Sequence, residues 1–460
     1  MQRQLLRGGK VVSASGAIAA DVLIAGEKIA AVGAPGQFDG EEDLIVHDVS
    51  GELIFPGFID AHTHFDLHVA GTVTADDFYT GTRAAIRGGT TTIVDFGTQY
   101  PGESLAEGLS NWHKKADGKC SCDYSFHMSI TEWTPKVSEE IADMMREGIT
   151  SFKLYMTYDT QVDDQTLFEI LVRLKEVGGI TGVHCENSGV IAALQQEAKR
   201  AGRMGVSSHP ATRPAAAEAE AVGRLLRLAE IADTPVIVVH LTNREAYEVI
   251  QEARERGQKV YAETCPQYLS MDDSLYELPG FEGAKYVCAP PLRKKDDQDC
   301  LWKAIADDQI QTVSTDHCSF TTKQKELGKD DFTKIPGGMP GVETRGVILY
   351  TDGVDGGRIS LGKMCEVLCE NPAKLYGMYP RKGVIAPGSD ADLVVLKTGV
   401  DEVITAADQI QNVDYAPFEG KKVTARVEQV FLRGTEVVRA HQVVKECQGT
   451  FIKRNSYDLQ

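Results

Sequence analysis

The sequence lacks the features that would link the protein to a membrane or to nucleic acid. No apolar run approaches the ~20 residues of a membrane-spanning helix. Acidic residues outnumber basic ones by 67 to 48, which gives a formal net charge of -19. This charge disfavours contact with nucleic acid or an anionic lipid surface, and no basic cluster with interleaved aromatic residues offsets it. We therefore expect neither a nucleic-acid partner nor a membrane partner.

A disulfide framework and a secretory signal are missing as well. The ten cysteines are scattered, and no CxxC pair occurs among them. Residues 1–9 lack the apolar core of a signal peptide. In a long chain this combination indicates reduced thiols, so we expect a cytoplasmic protein.

Both ends of the chain are typical of short strands joined by tight turns. Residues 22–24 precede a Gly-Glu-Lys turn, and the same pattern returns after residue 380. Because neither piece alone is long enough to close a sandwich, we predict one small β-sandwich domain from residues 1–53 together with 380–442. We expect the polar tail, 443–460, to lie at an oligomer interface or to be disordered.

Strand-like and helix-like segments alternate through the middle of the chain. Strands that alternate with helices imply βαβ units and a parallel sheet, and eight of them imply a (β/α)8 barrel. An open doubly wound sheet is disfavoured, because no glycine-rich nucleotide loop follows the first strand. We predict an α/β fold with a TIM-like barrel over residues 54–379. The predicted strands are 53–64, 91–96, 124–130, 151–156, 180–184, 236–241, 259–264 and 312–316.

Potential metal ligands stand at the carboxyl ends of these predicted strands. His62 and His64 are two residues apart and therefore face the same way at the end of the first strand. Imidazole is the commonest side-chain metal ligand, and barrel active sites are built at the carboxyl ends of the strands. We therefore predict a metal site. The candidate ligands are His62, His64, Lys153, His184, His240 and Asp316.

An ordered set of motifs accompanies these ligands through nearly the whole chain. In this order it resembles the amidohydrolase superfamily, and within it the cyclic amidases of the dihydropyrimidinase and D-hydantoinase type. His-x-His alone is a weak signal, whereas the ordered set is specific. The motifs are PGFIDAHTH (56–64), GGTTT (88–92), SFK (151–153), VHCEN (183–187), ETCPQY (263–268), TDHC (315–318), PGVE (340–343) and NPAKLYG (371–377).

The resemblance implies a centre with two divalent metal ions, usually zinc. His62 and His64 would hold the more buried ion together with Asp316. His184 and His240 would hold the second ion. An ammonium group cannot bind a cation, so Lys153 would be converted by CO2 to N6-carboxylysine, whose carbamate would bridge both ions.

The resemblance also implies catalytic and substrate-binding roles. A bound divalent ion activates water for attack on a ring carbonyl, and Asp316 would take the proton of that water and pass it to the departing nitrogen. Tyr158 would donate a hydrogen bond to the developing oxyanion. Four further residues would contact the substrate: Tyr155 and Phe65 through their side chains, and Ala289 and Gly337 through their backbone.

The implied reaction is hydrolysis of a C–N bond in a cyclic amide. A small cyclic ureide or imide, either a dihydropyrimidine or a 5-substituted hydantoin, would open to an N-carbamoyl amino acid. The family usually carries serine and asparagine where this chain has Ala289 and Gly337. Because both positions read the substrate, catalysis is better supported than the identity of the ring. A homotetramer, or a homodimer, is the assembly that the resemblance implies.

Four alternatives stay open. A non-catalytic scaffold relative would have lost metal ligands, but none of the candidate ligands is substituted. The same ligands could serve ester or phosphotriester hydrolysis, which the loop containing Ala289 argues against. An allantoinase and a dihydroorotase are nearer alternatives. The latter needs a cationic anchor after the first strand, where residues 65–67 offer none.

Overall fold

The computed structural model of the chain describes residues 3–459. Residues 1, 2 and 460, which belong to the predicted sandwich domain and tail, lie outside the described residues. Between residues 3 and 459, no helix has the length and apolar character needed to cross a membrane.

Eight parallel strands form a barrel in which each strand pairs with the next one along the chain. A parallel bridge between Thr63 and His317 joins the first strand to the segment after the eighth, so the sheet closes on itself. The predicted barrel is therefore confirmed. Its strands are Phe58–Thr63, Thr90–Thr98, Asp123–Ser129, Ser151–Tyr155, Ile180–His184, Val236–Val238, Val260–Thr264 and Thr312–Val313.

Amphipathic helices surround the barrel, and capping residues fix where several of them begin. Ser104 and Glu107 form a capping box, and Thr134 accepts from the backbone at the start of the third long helix. The apolar faces of these helices pack on the outside of the strands in one continuous core. The long helices are Phe78–Arg87, Leu105–Ala116, Pro135–Arg146, Asp164–Val177, Ser188–Arg200, Ala215–Ala232, Arg244–Glu255 and Lys295–Ala306.

Two larger sheets lie outside the barrel: one is built from amino-terminal strands alone, and the other combines strands from both ends of the chain. The four-stranded sheet runs in the order Lys28–Gly33, Asp21–Ala25, Arg3–Arg7 and Leu44–Asp48. The seven-stranded sheet runs in the order Gln442–Val443, Thr435–Arg439, Lys422–Leu432, Leu393–Val403, Leu53–Pro56, Lys10–Ser13 and Gly16–Ala19. The domain boundaries given above stay a prediction.

The first predicted strand is two strands in the structure. Leu53–Pro56 pairs with Leu393–Val403 in the outer sheet, whereas Phe58–Thr63 belongs to the barrel. Gly57 separates them, and a side chain there would clash with Thr91 on the neighbouring strand. The chain therefore passes from one sheet to the other at a point where only glycine fits.

The tail packs on the barrel of its own chain. Arg454 is 3% exposed, and its guanidinium donates to the hydroxyls of Ser125 and Ser151 at 2.8 and 2.9 Å. Phe451 stacks on Phe126 with ring centroids 5.7 Å apart. These contacts lie at the amino-terminal ends of the third and fourth strands, opposite the candidate site. A role of the tail in an oligomer interface stays a prediction.

Candidate metal centre and active site

Three predicted ligands meet where the first and eighth barrel strands end. Oδ1 of Asp316 lies 3.1 Å from Nε2 of His62 and 3.1 Å from Nε2 of His64. All three ligand atoms lie within 4.8 Å of one another. Donors bound at 2.0–2.2 Å to one ion are about 3 Å apart, so this spacing suits a single divalent ion.

The other three predicted ligands adjoin this group. The ring of His240 lies 5.4 Å from that of His62 and 4.6 Å from that of His184. The ammonium of Lys153 is 1% exposed and acts electrostatically on all four histidines. The barrel therefore brings all six residues to one buried spot, although they are spread over 255 positions of the chain.

The side chains of this cluster fit a bound metal. Nε2 of His62, Nδ1 of His64 and Nδ1 of His240 are buried and form no hydrogen bond. Buried polar atoms without a partner are rare in proteins, because each one loses its hydration without compensation. Nitrogen and carboxylate donors of this kind are the ligands that zinc and other divalent transition metals prefer.

Electrostatics keep most of these histidines in the form that binds metal. Burial lowers the pKa of His64 to about 4, and burial together with His184 holds the pKa of His240 well below its usual range. Burial would raise the pKa of Asp316, but His62 and His64 hold it well below its ordinary value. Neutral imidazoles beside an ionised carboxylate are the protonation states that a cation requires.

The pKa values of His62 and Lys153 respond to the carboxylates around them. Burial and the Lys153 ammonium oppose protonation of His62, but Glu263 and Asp316 raise its pKa overall. Burial lowers the pKa of Lys153 to about 8, against the raising effect of Asp316 and Glu263. Lys153 forms no ion pair with any carboxylate in residues 3–459. A buried ammonium among histidines, without an ion pair and stabilised only at longer range by Asp316 and Glu263, is an unfavourable arrangement.

Left-handed backbone occurs at three site residues. His240, Asp316 and Tyr158 have φ angles of 38°, 52° and 71°. Such angles are uncommon for residues other than glycine, and strained backbone of this kind clusters at functional sites. These angles also explain why the sixth and eighth strands end earlier than predicted, at Val238 and Val313.

Buried glutamates orient two of the histidines, His62 in the group with Asp316 and His184 in the group with His240. Nδ1 of His62 lies 2.6 Å from Oε1 of Glu263, and Nε2 of His184 lies 2.8 Å from Oε2 of Glu186. Arg213 in turn pairs with Glu186. A carboxylate that accepts from one ring nitrogen fixes the tautomer and leaves the other nitrogen free for a metal.

Two predicted substrate residues border the cluster on its open side. Tyr158 is 40% exposed, and its ring lies 4.9 Å from that of His184, in an edge-to-face arrangement. The Arg213 guanidinium stands 5.5 Å above the Tyr158 ring. The ring of Tyr155 lies 6.1 Å from those of Tyr158 and His184. Both phenols therefore stand beside His184.

The remaining predicted substrate residues differ in their placement. Ala289 is half-buried and Gly337 is exposed, each on a loop near the segment that follows Asp316. Phe65 is fully buried, and its ring packs against those of Phe78 and His317 at 5.8 and 5.3 Å. In this structure Phe65 is a core residue and offers no surface to a substrate.

A surface cleft of about 960 Å³ opens near the carboxyl ends of the third to fifth barrel strands, where Trp133, Met156 and Asn187 line it. None of the six predicted ligands lines this cleft. The candidate site is therefore defined by the ligand cluster and not by this cleft.

Three residues near the cluster were not predicted from the sequence motifs: Glu263, Glu186 and Arg213. Glu263 stands at the end of the seventh barrel strand, so the strand-end signal that indicated the ligands could have found it. Glu186 follows His184 by two residues and could have been found in the same way. For Arg213, in the loop before helix Ala215–Ala232, the sequence carries no comparable signal.

A closed (β/α)8 barrel with histidine and carboxylate donors at its carboxyl end defines a metal-dependent barrel hydrolase. The amidohydrolase family model matches residues 53–437, and the chain belongs to this family. The prediction made from the motifs is therefore confirmed, and membership supports the use of divalent metal ions. The individual residue roles stay predictions.

Relatives and solved structures match along the full length. The D-hydantoinase of Geobacillus stearothermophilus is 47% identical, over 99% of this chain and 97% of that protein. The dihydropyrimidinase of Brevibacillus agri NCHU1002 is 46% identical, with a TM-score of 0.97 and complete coverage of both chains. The L-hydantoinase (dihydropyrimidinase) of Arthrobacter aurescens is 32% identical, with a TM-score of 0.90 over 99% of this chain and 100% of that chain.

The contact between Glu263 and His62 leads to a test on metal binding. We expect Glu263→Gln to weaken metal binding by about 10- to 100-fold, because the amide cannot hold the His62 tautomer as a carboxylate does. Competition with a chromophoric chelator measures this affinity directly. Glu255→Gln, at the exposed end of a surface helix, is the matched control. Unchanged affinity in Glu263→Gln would contradict the orienting role.

Proposed function

We propose that this protein hydrolyses the amide bond of a cyclic ureide or imide and releases an N-carbamoyl amino acid. The observation that carries the proposal is the convergence of four histidines, Lys153 and Asp316 at the carboxyl end of the barrel. The full-length likeness to proteins named D-hydantoinase and dihydropyrimidinase supports this reaction class.

The metal centre that we propose holds two divalent ions, most simply zinc. His62, His64 and Asp316 would bind one, and His184 and His240 the other. When bound, such ions polarise the scissile carbonyl and activate the attacking water. Zinc is favoured because nitrogen and carboxylate ligands suit it, and because the related cyclic amidases usually hold it.

We propose that Lys153 is N6-carboxylated. Its ammonium is buried among imidazoles, forms no ion pair within residues 3–459, and cannot bind a cation while protonated. Addition of CO2 to the neutral amine forms an N–C bond and releases a proton. The resulting carbamate would be an anion able to hold the divalent ions, which would remove the electrostatic conflict of the unmodified cluster.

Asp316 is the proton carrier of the proposed reaction. Its carboxylate is ionised and stands at the mouth of the barrel, with a side chain that is 12% exposed. It accepts the proton of the attacking water and delivers it to the ring nitrogen, which leaves only when protonated. One carboxylate can do both because it lies inside the ligand cluster, with Oδ1 3.1 Å from Nε2 of His62 and of His64.

Tyr158 is the proposed hydrogen-bond donor to the carbonyl oxygen as that oxygen gains charge. It lies on the exposed side of the cluster against His184, with Arg213 over its ring. The guanidinium beside it favours charge development on the substrate side of the site. Tyr155 would contact the exocyclic group of the substrate.

The substrate class is a dihydropyrimidine or a 5-substituted hydantoin. Ala289 and Gly337 would bind the imide edge of the ring through backbone groups, since neither offers a polar side chain. We propose assembly as a homotetramer, or as a homodimer. The allantoinase, dihydroorotase and scaffold readings are less favoured, because the matches at 47 and 46% identity are named for hydantoin and dihydropyrimidine hydrolysis.

Removing the metal tests the reaction itself. We expect purified protein to contain about two divalent ions per chain and to open dihydrouracil, dihydrothymine or a substituted hydantoin. Chelation should abolish ring opening, and added divalent ions should restore it. The loss of ring absorbance measures the rate. Allantoin and dihydroorotate are assayed in the same way, as the substrates of the alternative activities. Ring opening at full rate in metal-free protein would contradict the proposal.

Replacing Lys153 tests the bridge. We expect Lys153→Ala to lose bound metal and activity, and a small carboxylic acid to restore part of both by supplying the missing oxygens. Elemental analysis and rate measurements follow the two effects. Lys136→Ala, at an exposed surface position, is the control. A metal-loaded, fully active Lys153→Ala would disprove the bridging role.

Replacing Tyr158 tests the oxyanion donor. We expect Tyr158→Phe to lower kcat by about 100-fold, because one donor aimed at the transition state is lost. Metal content should stay that of the wild type, since Tyr158 is not among the ligands. Tyr247→Phe, on a surface helix, controls for loss of a hydroxyl. An unchanged kcat would assign the donor elsewhere.

A further inference from the structure

The loops that carry Ala289 and Gly337 are joined by backbone contacts. The amide of Gly338 donates to the carbonyl of Val287 at 2.9 Å. The second loop is also attached to the segment after Asp316, because the amide of Cys318 donates to the carbonyl of Met339 at 3.1 Å. A displacement of either loop would therefore move the groups next to the proposed proton carrier.

Lys325 lies under both loops and is fully buried. Its ammonium donates three hydrogen bonds, to the carbonyls of Val287 at 2.8 Å, Pro336 at 2.7 Å and Gly338 at 2.8 Å. Val287 stands two residues before Ala289, and Pro336 and Gly338 flank Gly337. One side chain thus holds the backbone on either side of the proposed imide-binding positions.

The ammonium group suits this place because it has three donors and no acceptor. Lys325 makes no ion pair in the described part of the chain, so the carbonyl dipoles are its compensation for burial. A neutral side chain would remove one donor from each of three buried carbonyls: that of Val287 would keep the Gly338 amide, whereas those of Pro336 and Gly338 would lose their partner. Burial lowers the pKa of Lys325 to about 7, which marks how unusual the placement is.

Other side chains hold the Ala289 loop but do not brace the tip of the Gly337 loop. Nε2 of His209 lies 2.7 Å from the carbonyl oxygen of Cys288, and the hydroxyl of Tyr268 donates to the carbonyl of Pro290 at 2.7 Å. A Cβ at Gly337 would meet no atom within 4 Å, and the residue is exposed. Glycine also widens the conformational range of a loop. Lys325 is distinguished by donating to both loops at once.

We propose that Lys325 is a positioning residue for substrate binding, which holds the Ala289 and Gly337 loops in the register that the imide edge of a cyclic ureide requires. The inference rests on the proposed function for the identity of the ligand. It adds a residue that touches neither the metal ligands nor the substrate. Lys325 would act on ground-state binding of the substrate, so its replacement should change KM more than kcat.

Kinetics of Lys325→Met test the proposal. Methionine fills a similar volume without donors, and we expect KM for a hydantoin or dihydrouracil to rise at least about tenfold. The value of kcat should change less than KM, and bound metal should stay at the wild-type level. Lys323→Met, at an exposed position on the short helix Thr322–Lys325, should leave both constants unchanged. Lys325→Arg keeps the positive charge, and its KM should lie between the KM values of Lys325→Met and Lys323→Met.

Hydrogen exchange separates this inference from the proposed function. In metal-loaded Lys325→Met we expect faster exchange at the amides of residues 287–289 and 337–338 and unchanged exchange at the barrel strands, whatever ring the wild type accepts. If the wild type opens none of the cyclic substrates named above, the proposed function fails. The exchange result still decides whether Lys325 keeps the two loops ordered. Unchanged KM and unchanged exchange would overturn the inference. An insoluble or metal-free variant would overturn it too, since Lys325 would then support the whole fold.

Discussion

The carboxylate of Asp316 between the imidazoles of His62 and His64 is the contact on which the rest of the site depends. It joins the last barrel strand to the first, so it exists only when the sheet closes. Closure also removes the site from water, which keeps His64 neutral and leaves donor atoms without hydrogen bonds. The same geometry that completes the fold therefore prepares a place for a cation.

A cluster of this kind is poorly compensated by protein groups alone. Buried nitrogen atoms lack partners, and the Lys153 ammonium stands among imidazoles without an ion pair in the described residues. Two cations and a carbamate would reduce these deficits, because the unpaired Nε2 of His62 would gain a ligand bond and Lys153 would become an anion. The stabilisation missing from the metal-free cluster would thus be supplied by metal binding, and Glu263 and Glu186 hold two of the rings ready for it.

The strand ends were predictable from the sequence, and the details of the backbone were not. Alternation of strands and helices, with a histidine or carboxylate closing several strands, was enough to predict the barrel and the six converging side chains. The break at Gly57 was missed because the apolar run continues through it, and the constraint comes from Thr91 on another strand. The positive φ angles at His240 and Asp316 also arise from tertiary packing and leave no local mark in the sequence.

Lys325 shows most clearly where sequence reasoning stops. In the run TTKQKELGKDD it stands among charged residues and is typical of a solvated surface, yet it is fully buried. Its partners are backbone carbonyls, which carry no residue identity and leave no pattern in a sequence. The proposed chemistry depends on side chains, which motifs record, whereas the proposed recognition depends on loop backbone, which they do not. If Lys325 holds both loops as we propose, residues without polar side chains at positions 289 and 337 can still present a backbone hydrogen-bonding edge.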